Sequence, residues 1–212
     1  MTERVFIWVA HPGAGTFNAA LADAYEQGAR ESGATVRRMD LSEMEISSGF
    51  RGYPDSSNLE PSLRDWQANV AWADRIFIVH PLWWSAMPTL AKSVLDQALS
   101  SGFAYKYHAR GMAWDKLLEG KVGDAIITAD TPTWIDSWLN NKPSRRALAK
   151  GVYAFCGIRP RNIALFGSVK MSDLTQREKW LARARSFGAQ AGVTADQGRP
   201  AFGGSKEALA SR

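Results

Sequence analysis

The chain has little of what builds disulfide-stapled, metal-centred or membrane-spanning proteins. One cysteine, Cys156, among 212 residues permits no internal disulfide, which suits a reducing compartment. It sits in Ala154-Phe155-Cys156-Gly157, an apolar setting that reads as core packing rather than as a reactive thiol. Histidine is scarce as well: His11, His80 and His108 show no ligand spacing, so no metal site is expected. No apolar run approaches the roughly 20 residues that span a bilayer, and stable membrane insertion is not expected. Met1-Thr2-Glu3-Arg4 leads straight into a strand-like run, with no room for a signal peptide, so the expected compartment is cytoplasmic.

Charge of one sign is not in large excess either. Lys and Arg number 26 against 21 Asp and Glu, a net charge of +5. Such a balance suits nucleic acid, a membrane surface or an anionic small molecule. The basic residues are scattered, and their densest set (Arg177, Lys179, Arg183, Arg185) has the spacing of a solvated helix face. Nucleic acid is therefore not an expected partner, whereas an anionic cofactor needs only a local site.

What the sequence does contain is alternation. Val5-Phe6-Ile7-Trp8-Val9 is a short continuous apolar run, as in a parallel strand buried on both faces. A helix is expected over residues 17–32, with Leu21, Ala24, Tyr25 and Ala29 on one stripe, and a weaker strand over 35–41. A Gly, Pro, Ser and Asn loop covers 47–61, a helix 61–73, and Arg75-Ile76-Phe77-Ile78-Val79 is the third strand. Helices over 87–99, 144–155 and 175–190 alternate with strands over 122–128 and 162–166. Five strands alternating with five helices predict an α/β protein, a doubly wound parallel sheet of order 2-1-3-4-5, the flavodoxin-like arrangement. Residues 1–192 are expected to form this domain, and 193–212, rich in Gly, Ala and Ser, a flexible tail unless a partner subunit holds it.

In such a sheet ligands bind at the carboxyl ends of the strands, where the strand order switches. That places function in the loops after Val9 and Val79. The first is Ala10-His11-Pro12-Gly13-Ala14-Gly15-Thr16-Phe17-Asn18. Its glycines let backbone amides approach an anion, Thr16 or Asn18 can cap the helix that follows, and the helix start adds partial positive charge. His11 can donate to a phosphate oxygen. An ordinary strand-to-helix turn would read the same way. A dinucleotide fingerprint with Asp40 on a ribose is a further reading, weakened because Asn18 stands where the third glycine belongs. The second loop is His80-Pro81-Leu82-Trp83-Trp84-Ser85-Ala86-Met87-Pro88. Two adjacent tryptophans cannot both enter one core. They either form an aromatic platform for a planar heterocycle, with loop amides at its edge, or pack under neighbouring loops or a subunit interface.

Taken together, Ala10-His11, Thr16-Phe17-Asn18, Pro81-Leu82-x-Trp84 with Pro88, and Gly102-Phe103-Ala104-Tyr105-x-Tyr107 resemble the flavodoxin-like NAD(P)H:quinone oxidoreductases, in order and spacing, over about residues 4–170. The resemblance implies that His11, Thr16, Phe17 and Asn18 hold the flavin's phosphate side. Pro81, Leu82, Trp83, Trp84 and Ser85 would hold its ring, with the amides from Trp83 to Ala86 at the polar edge, and Thr128 and Asp130 would flank it. Tyr105 and Tyr107 match tyrosines that close the substrate pocket from the partner subunit of a homodimer. The implied reaction is two-electron transfer from NAD(P)H through flavin to a quinone or similar flat acceptor, in a ping-pong cycle. FMN is the expected cofactor, because no adenosine-binding segment is identifiable, with FAD the alternative. A regulatory flavin- or nucleotide-binding subunit of a potassium efflux system and a one-electron carrier are the competing readings. The chain departs from the family after its fourth strand. Thr128-Ala129-Asp130-Thr131-Pro132-Thr133-Trp134 replaces the usual Thr-Thr-Gly-Gly, and Trp134-Ile135-Asp136-Ser137-Trp138 offers no match for the downstream Tyr and His. Asp130 there would disfavour extra negative charge on a reduced flavin unless it pairs or points away.

Overall fold

The computed structural model of the protein describes residues 2–47, 59–136 and 142–192. The tail expected over 193–212 and most of the loop expected over 47–61 lie outside the described residues, as do Ser137 and Trp138.

In chain order the elements are β1 (Arg4–Val9), α1 (Phe17–Glu31), β2 (Thr35–Asp40), α2 (Pro61–Trp72), β3 (Arg75–Pro81), α3 (Thr89–Ala98), β4 (Tyr105–Tyr107), β5 (Trp114–Lys116), β6 (Val122–Thr128), α4 (Pro143–Arg146), β7 (Arg159–Phe166) and α5 (Leu174–Gly188). Between α4 and β7 the helix widens into a π-helical stretch, Ala147–Ala154. β2-β1-β3-β6-β7 form one parallel sheet, and β4 and β5 a separate antiparallel hairpin. With the hairpin set aside, this is the expected order 2-1-3-4-5.

Alternation along β1 sorts the core into two layers, because successive side chains leave opposite faces of a strand. Phe6 and Trp8 pack with Leu63, Trp66 and Val70 of α2 and Val94 of α3. Val5, Ile7 and Val9 pack with Leu21, Tyr25 and Ala29 of α1 and Ala184 and Phe187 of α5. Each such large apolar side chain taken fully out of water contributes about 1.5–3 kcal/mol. α1 and α5 approach so closely that a Cβ on Gly28 would lie 2.1 Å from the Arg185 carbonyl oxygen, and one on Gly188 2.0 Å from that of Tyr25. Glycine is required at both positions by contact.

One strand position breaks the apolar pattern. Asp124, fully buried in β6, accepts hydrogen bonds from Tyr25 Oη at 2.7 Å and Arg75 Nη1 at 2.9 Å, and from the Asn162 backbone and side-chain nitrogens at 3.0 Å each. Arg75 is also fully buried and pairs with Glu3 at 2.9 Å. A buried charge needs such partners. Burial, together with the negative charge of Asp124, raises the Tyr25 hydroxyl well above its usual pKa, so it stays protonated and donates.

Two element starts differ from expectation by more than one residue. The helix expected from residue 87 starts at Thr89 after an extended Pro88, and β7 begins at Arg159 rather than 162. The hairpin β4–β5 has no counterpart in the apolar periodicity.

Candidate active site

The loops after β1 and β3 meet at the carboxyl end of the sheet. Ala10 N–H donates to the Val79 carbonyl at 2.8 Å, and the His11 ring lies edge-to-face on Trp83 with centroids 5.6 Å apart. The Gly13 N–H and carbonyl oxygen lie 2.9 and 3.0 Å from His11 Nδ1, so either tautomer of the ring finds a partner that orients it. Thr16 is the helix cap, its Oγ1 accepting from Ala19 N–H at 3.4 Å. Asn18 is buried, and its Oδ1 accepts from Thr128 Oγ1 at 3.2 Å, which ties the helix start to the end of β6. Among the described residues, the amides of Ala14 to Asn18 have no intramolecular acceptor. Free donors at the start of a fifteen-residue helix, beside an exposed Gly15 that a Cβ would leave uncrowded, make an open anion cradle. Phe17 turns away from it, toward Trp180 of α5 at 6.0 Å and under Arg177.

The loop after β3 is a tight turn. Trp83 N–H donates to the Ala86 carbonyl at 2.8 Å and Ala86 N–H to the Trp83 carbonyl at 3.0 Å. Trp84 and Ser85 between them have φ of 50° and 62°. Positive φ at both central residues is the type I′ pattern, normally served by Asn and Gly; a bulky residue held there marks local strain that clusters at functional sites. Trp84 is fully exposed and Trp83 nearly half exposed. Neither tryptophan fills the core. The turn also corrects one expectation. The Trp83 and Ala86 amides are consumed by the turn itself, and those of Trp84 and Ser85 have no intramolecular acceptor among the described residues. Pro81 is buried at the end of β3, and Leu82 is anchored by its N–H to the Thr128 carbonyl at 2.7 Å, packing beside Ile127, Ala129 and Leu165.

Asp130 is exposed, and its Oδ1 accepts from the Lys170 backbone N–H at 2.9 Å. This bond directs the carboxylate to the loop after β7. Trp134, in the same segment, is largely exposed.

Tyr105 and Tyr107 stand apart from these loops. They lie on β4, in edge-to-face contact at 5.2 Å, and Tyr105 also meets Phe155 edge-to-face at 5.2 Å. They line a groove of about 250 Å³ with Lys92, Asp96, Phe155 and Cys156. Cys156 is buried, and burial pushes its thiol up to about 11, which keeps it an unreactive thiol. No site role for Phe155 or His80 is read from the sequence. Tertiary packing brings Phe155 beside Tyr105 in this groove, while His80, buried near the end of β3, lines a separate cavity, and the one signal available for it is a polar residue near the end of an apolar strand run.

Comparison with known proteins finds relatives of the same fold. An uncharacterised NAD(P)H oxidoreductase of Haemophilus influenzae is 29% identical over 183 residues, 82% of this chain and 89% of the relative. The human ribosyldihydronicotinamide dehydrogenase [quinone] is 26% identical over 182 residues, 74% of this chain and 78% of the relative. The solved structure of an NAD(P)H:quinone oxidoreductase from Methanothermobacter marburgensis superposes with a TM-score of 0.75 at 23% identity, covering 89% of this chain and 98% of that one. Residues 3–187 match the family described as having a flavodoxin-like fold, and with its sheet order and its two switch-point loops the chain belongs to that family.

Proposed function

We propose that the protein is a flavin-dependent oxidoreductase that transfers two electrons from NAD(P)H to a quinone or similarly flat acceptor. The observation that carries this reading is the convergence of two dissimilar features at one switch point, a set of free helix-start amides and an exposed tryptophan turn, joined by the His11–Trp83 contact. A flavin mononucleotide is flat at one end and dianionic at the other. The residues present fit it. The amides of Ala14 to Asn18, with Thr16 and His11, would hold the phosphate. The turn from Leu82 to Ser85 would hold the ring, and Thr128 would fix Asn18 beside it. When bound, the flavin supplies the hydride acceptance and two-electron release that no protein side chain provides.

The remaining residues orient and select. The Trp84 and Ser85 amides, aimed by a rigid turn, would stabilise charge developing at the ring's polar edge. Asp130 would have one carboxylate oxygen engaged by the Lys170 N–H rather than by the flavin. FMN is preferred over FAD on the absence of an identifiable adenosine-binding segment in the sequence. We place the substrate pocket between two copies of the chain. Tyr107, Met112 and Leu117, on and beside the β4–β5 hairpin, are exposed apolar side chains that a neighbouring subunit would cover.

The test is anaerobic mixing of flavin-loaded protein with NADH or NADPH, followed by a quinone. Loss of the flavin absorbance on adding nucleotide, and its return on adding quinone at one equivalent per flavin, is the expected result. A bound flavin that neither nucleotide reduces would overturn the oxidoreductase reading and favour a carrier or regulatory subunit. Light scattering that shows a fully active monomer would overturn the shared pocket.

A further inference from the structure

Behind the Trp84–Ser85 turn lies a second cavity of about 320 Å³, between the start of α3 and the π-helical stretch. Its wall is largely aliphatic, from Ala86, Met87, Leu95, Leu148 and Val152. His80 stands in that wall and is 2% exposed. Its Nδ1 lies 2.8 Å from the Pro81 carbonyl oxygen. A carbonyl only accepts, so Nδ1 carries the hydrogen. Burial brings the ring down to about 4, so it is neutral at physiological pH and Nε2 is left as a lone-pair acceptor. That atom is buried and has no hydrogen-bond partner among the described residues. Ser144, another buried polar side chain of the wall, is turned instead to Asp136 Oδ1 at 3.5 Å. A buried acceptor without a donor costs about 1–3 kcal/mol, and native structures seldom leave one without a reason.

We propose that this cavity binds a phenol-class ligand, a flat apolar ring bearing a hydroxyl whose O–H donates to His80 Nε2. The wall calls for an apolar body. Of its polar groups Lys92 is paired with Asp96, Ser144 is turned to Asp136 and Ser85 is exposed on the turn, so the buried unpaired acceptor is His80 Nε2, which calls for one donor. A water molecule would need two to four polar partners and would leave the aliphatic volume unfilled. A quinone carries only acceptor oxygens, and a carboxylate is both acceptor-only and costly to desolvate. A phenol is a stronger donor than an aliphatic alcohol and loses less rotational freedom on binding, and the Met87 thioether is a favourable neighbour for an aromatic ring. Ser85, whose amide is assigned to the flavin's edge, also lines this cavity, but the contact argued here is made by His80 Nε2, so phenol binding is read in the flavin-free chain apart from any oxidoreductase activity.

The experiment titrates the full chain, labelled with 15N-histidine, with 4-ethylphenol and with 4-ethylanisole, which has a similar shape but no donor. A net hydrogen bond of roughly 1 kcal/mol corresponds to about fivefold tighter binding of the phenol. The His80 Nε2 resonance is expected to move with the phenol and stay in place with the anisole. His80→Phe keeps a flat ring in the wall and should erase the phenol's advantage. Gly151→Leu places a side chain on the cavity wall where an added Cβ meets no atom within 4 Å, and should weaken both ligands. Equal affinities of the two ligands for the unsubstituted chain, an Nε2 resonance unmoved at saturation, or no saturable phenol binding would each overturn the proposal. The comparison within the unsubstituted chain decides the matter even if His80→Phe fails to fold.

Discussion

Substituting Asp124 by Asn tests whether the core is organised around a single buried carboxylate. Oδ2 of Asp124 accepts from Tyr25 and Arg75, and Oδ1 accepts from both nitrogens of Asn162. An asparagine has one oxygen, so either flip points its NH₂ at two donors. Arg75, fully buried and held protonated by Asp124 and Glu3, then loses one of its two carboxylates. Breaking a buried pair from one side costs about 3–5 kcal/mol, a large share of the roughly 5–15 kcal/mol that holds a domain together. The urea midpoint of Asp124→Asn should therefore fall steeply. Replacing both partners, Arg75→Met with Asp124→Leu, should cost clearly less than the sum of the two single changes, because no charge is left stranded. A loss below about 1 kcal/mol for Asp124→Asn, or additive single costs, would refute the reasoning.

Three other outcomes are expected. Gly28→Ala would stabilise an exposed helix by about 1 kcal/mol, but the Arg185 carbonyl lies 2.1 Å from the added Cβ, so thermal unfolding should show a net loss of about 1–3 kcal/mol. Ser85→Gly relieves a positive φ and should raise stability by about 1 kcal/mol, read as a higher urea midpoint; an unchanged midpoint would mean that the turn stores no strain. His80 is held near 4 in the folded state against 6.5 unfolded. The unfolded chain therefore binds the extra proton between those values, and stability should fall as pH drops from about 6.5 to 4, by roughly 3 kcal/mol. His80→Phe should flatten that part of the pH–stability curve, and equal slopes would contradict the burial argument.

Much of the fold was legible because its central strands are short, continuous and apolar. The strand expected over 122–128 is β6 without a residue's change, and the two switch-point loops follow from strand order alone. The first loop was legible as a strand-to-helix turn through Gly15 and Thr16, whose conformational and capping properties are local. The β4–β5 hairpin did not show, because Trp114-Asp115-Lys116 is too short to express a period of two. Nor did the turn at Trp84 and Ser85, which adopts a conformation usually marked by Asn and Gly. Asp124 reads in sequence as an interruption in an apolar run; only packing brings Tyr25, Arg75 and Asn162 to it across separations of 99, 49 and 38 residues. His80 is legible as a strand-end residue, but not as a buried acceptor. That property belongs to the cavity rather than to the strand.

The central claim is that the loop after β1 grips a phosphate while the turn after β3 carries the ring attached to it. Comparing the affinity of the flavin-free protein for FMN and for riboflavin, by quenching of flavin fluorescence, tests both halves at once. Two or more charge-assisted hydrogen bonds to the phosphate, each about 1.5–3 kcal/mol, predict that FMN binds at least about 100-fold tighter than riboflavin, at one per chain. Equal affinity for the two, or no binding of either, would contradict the account.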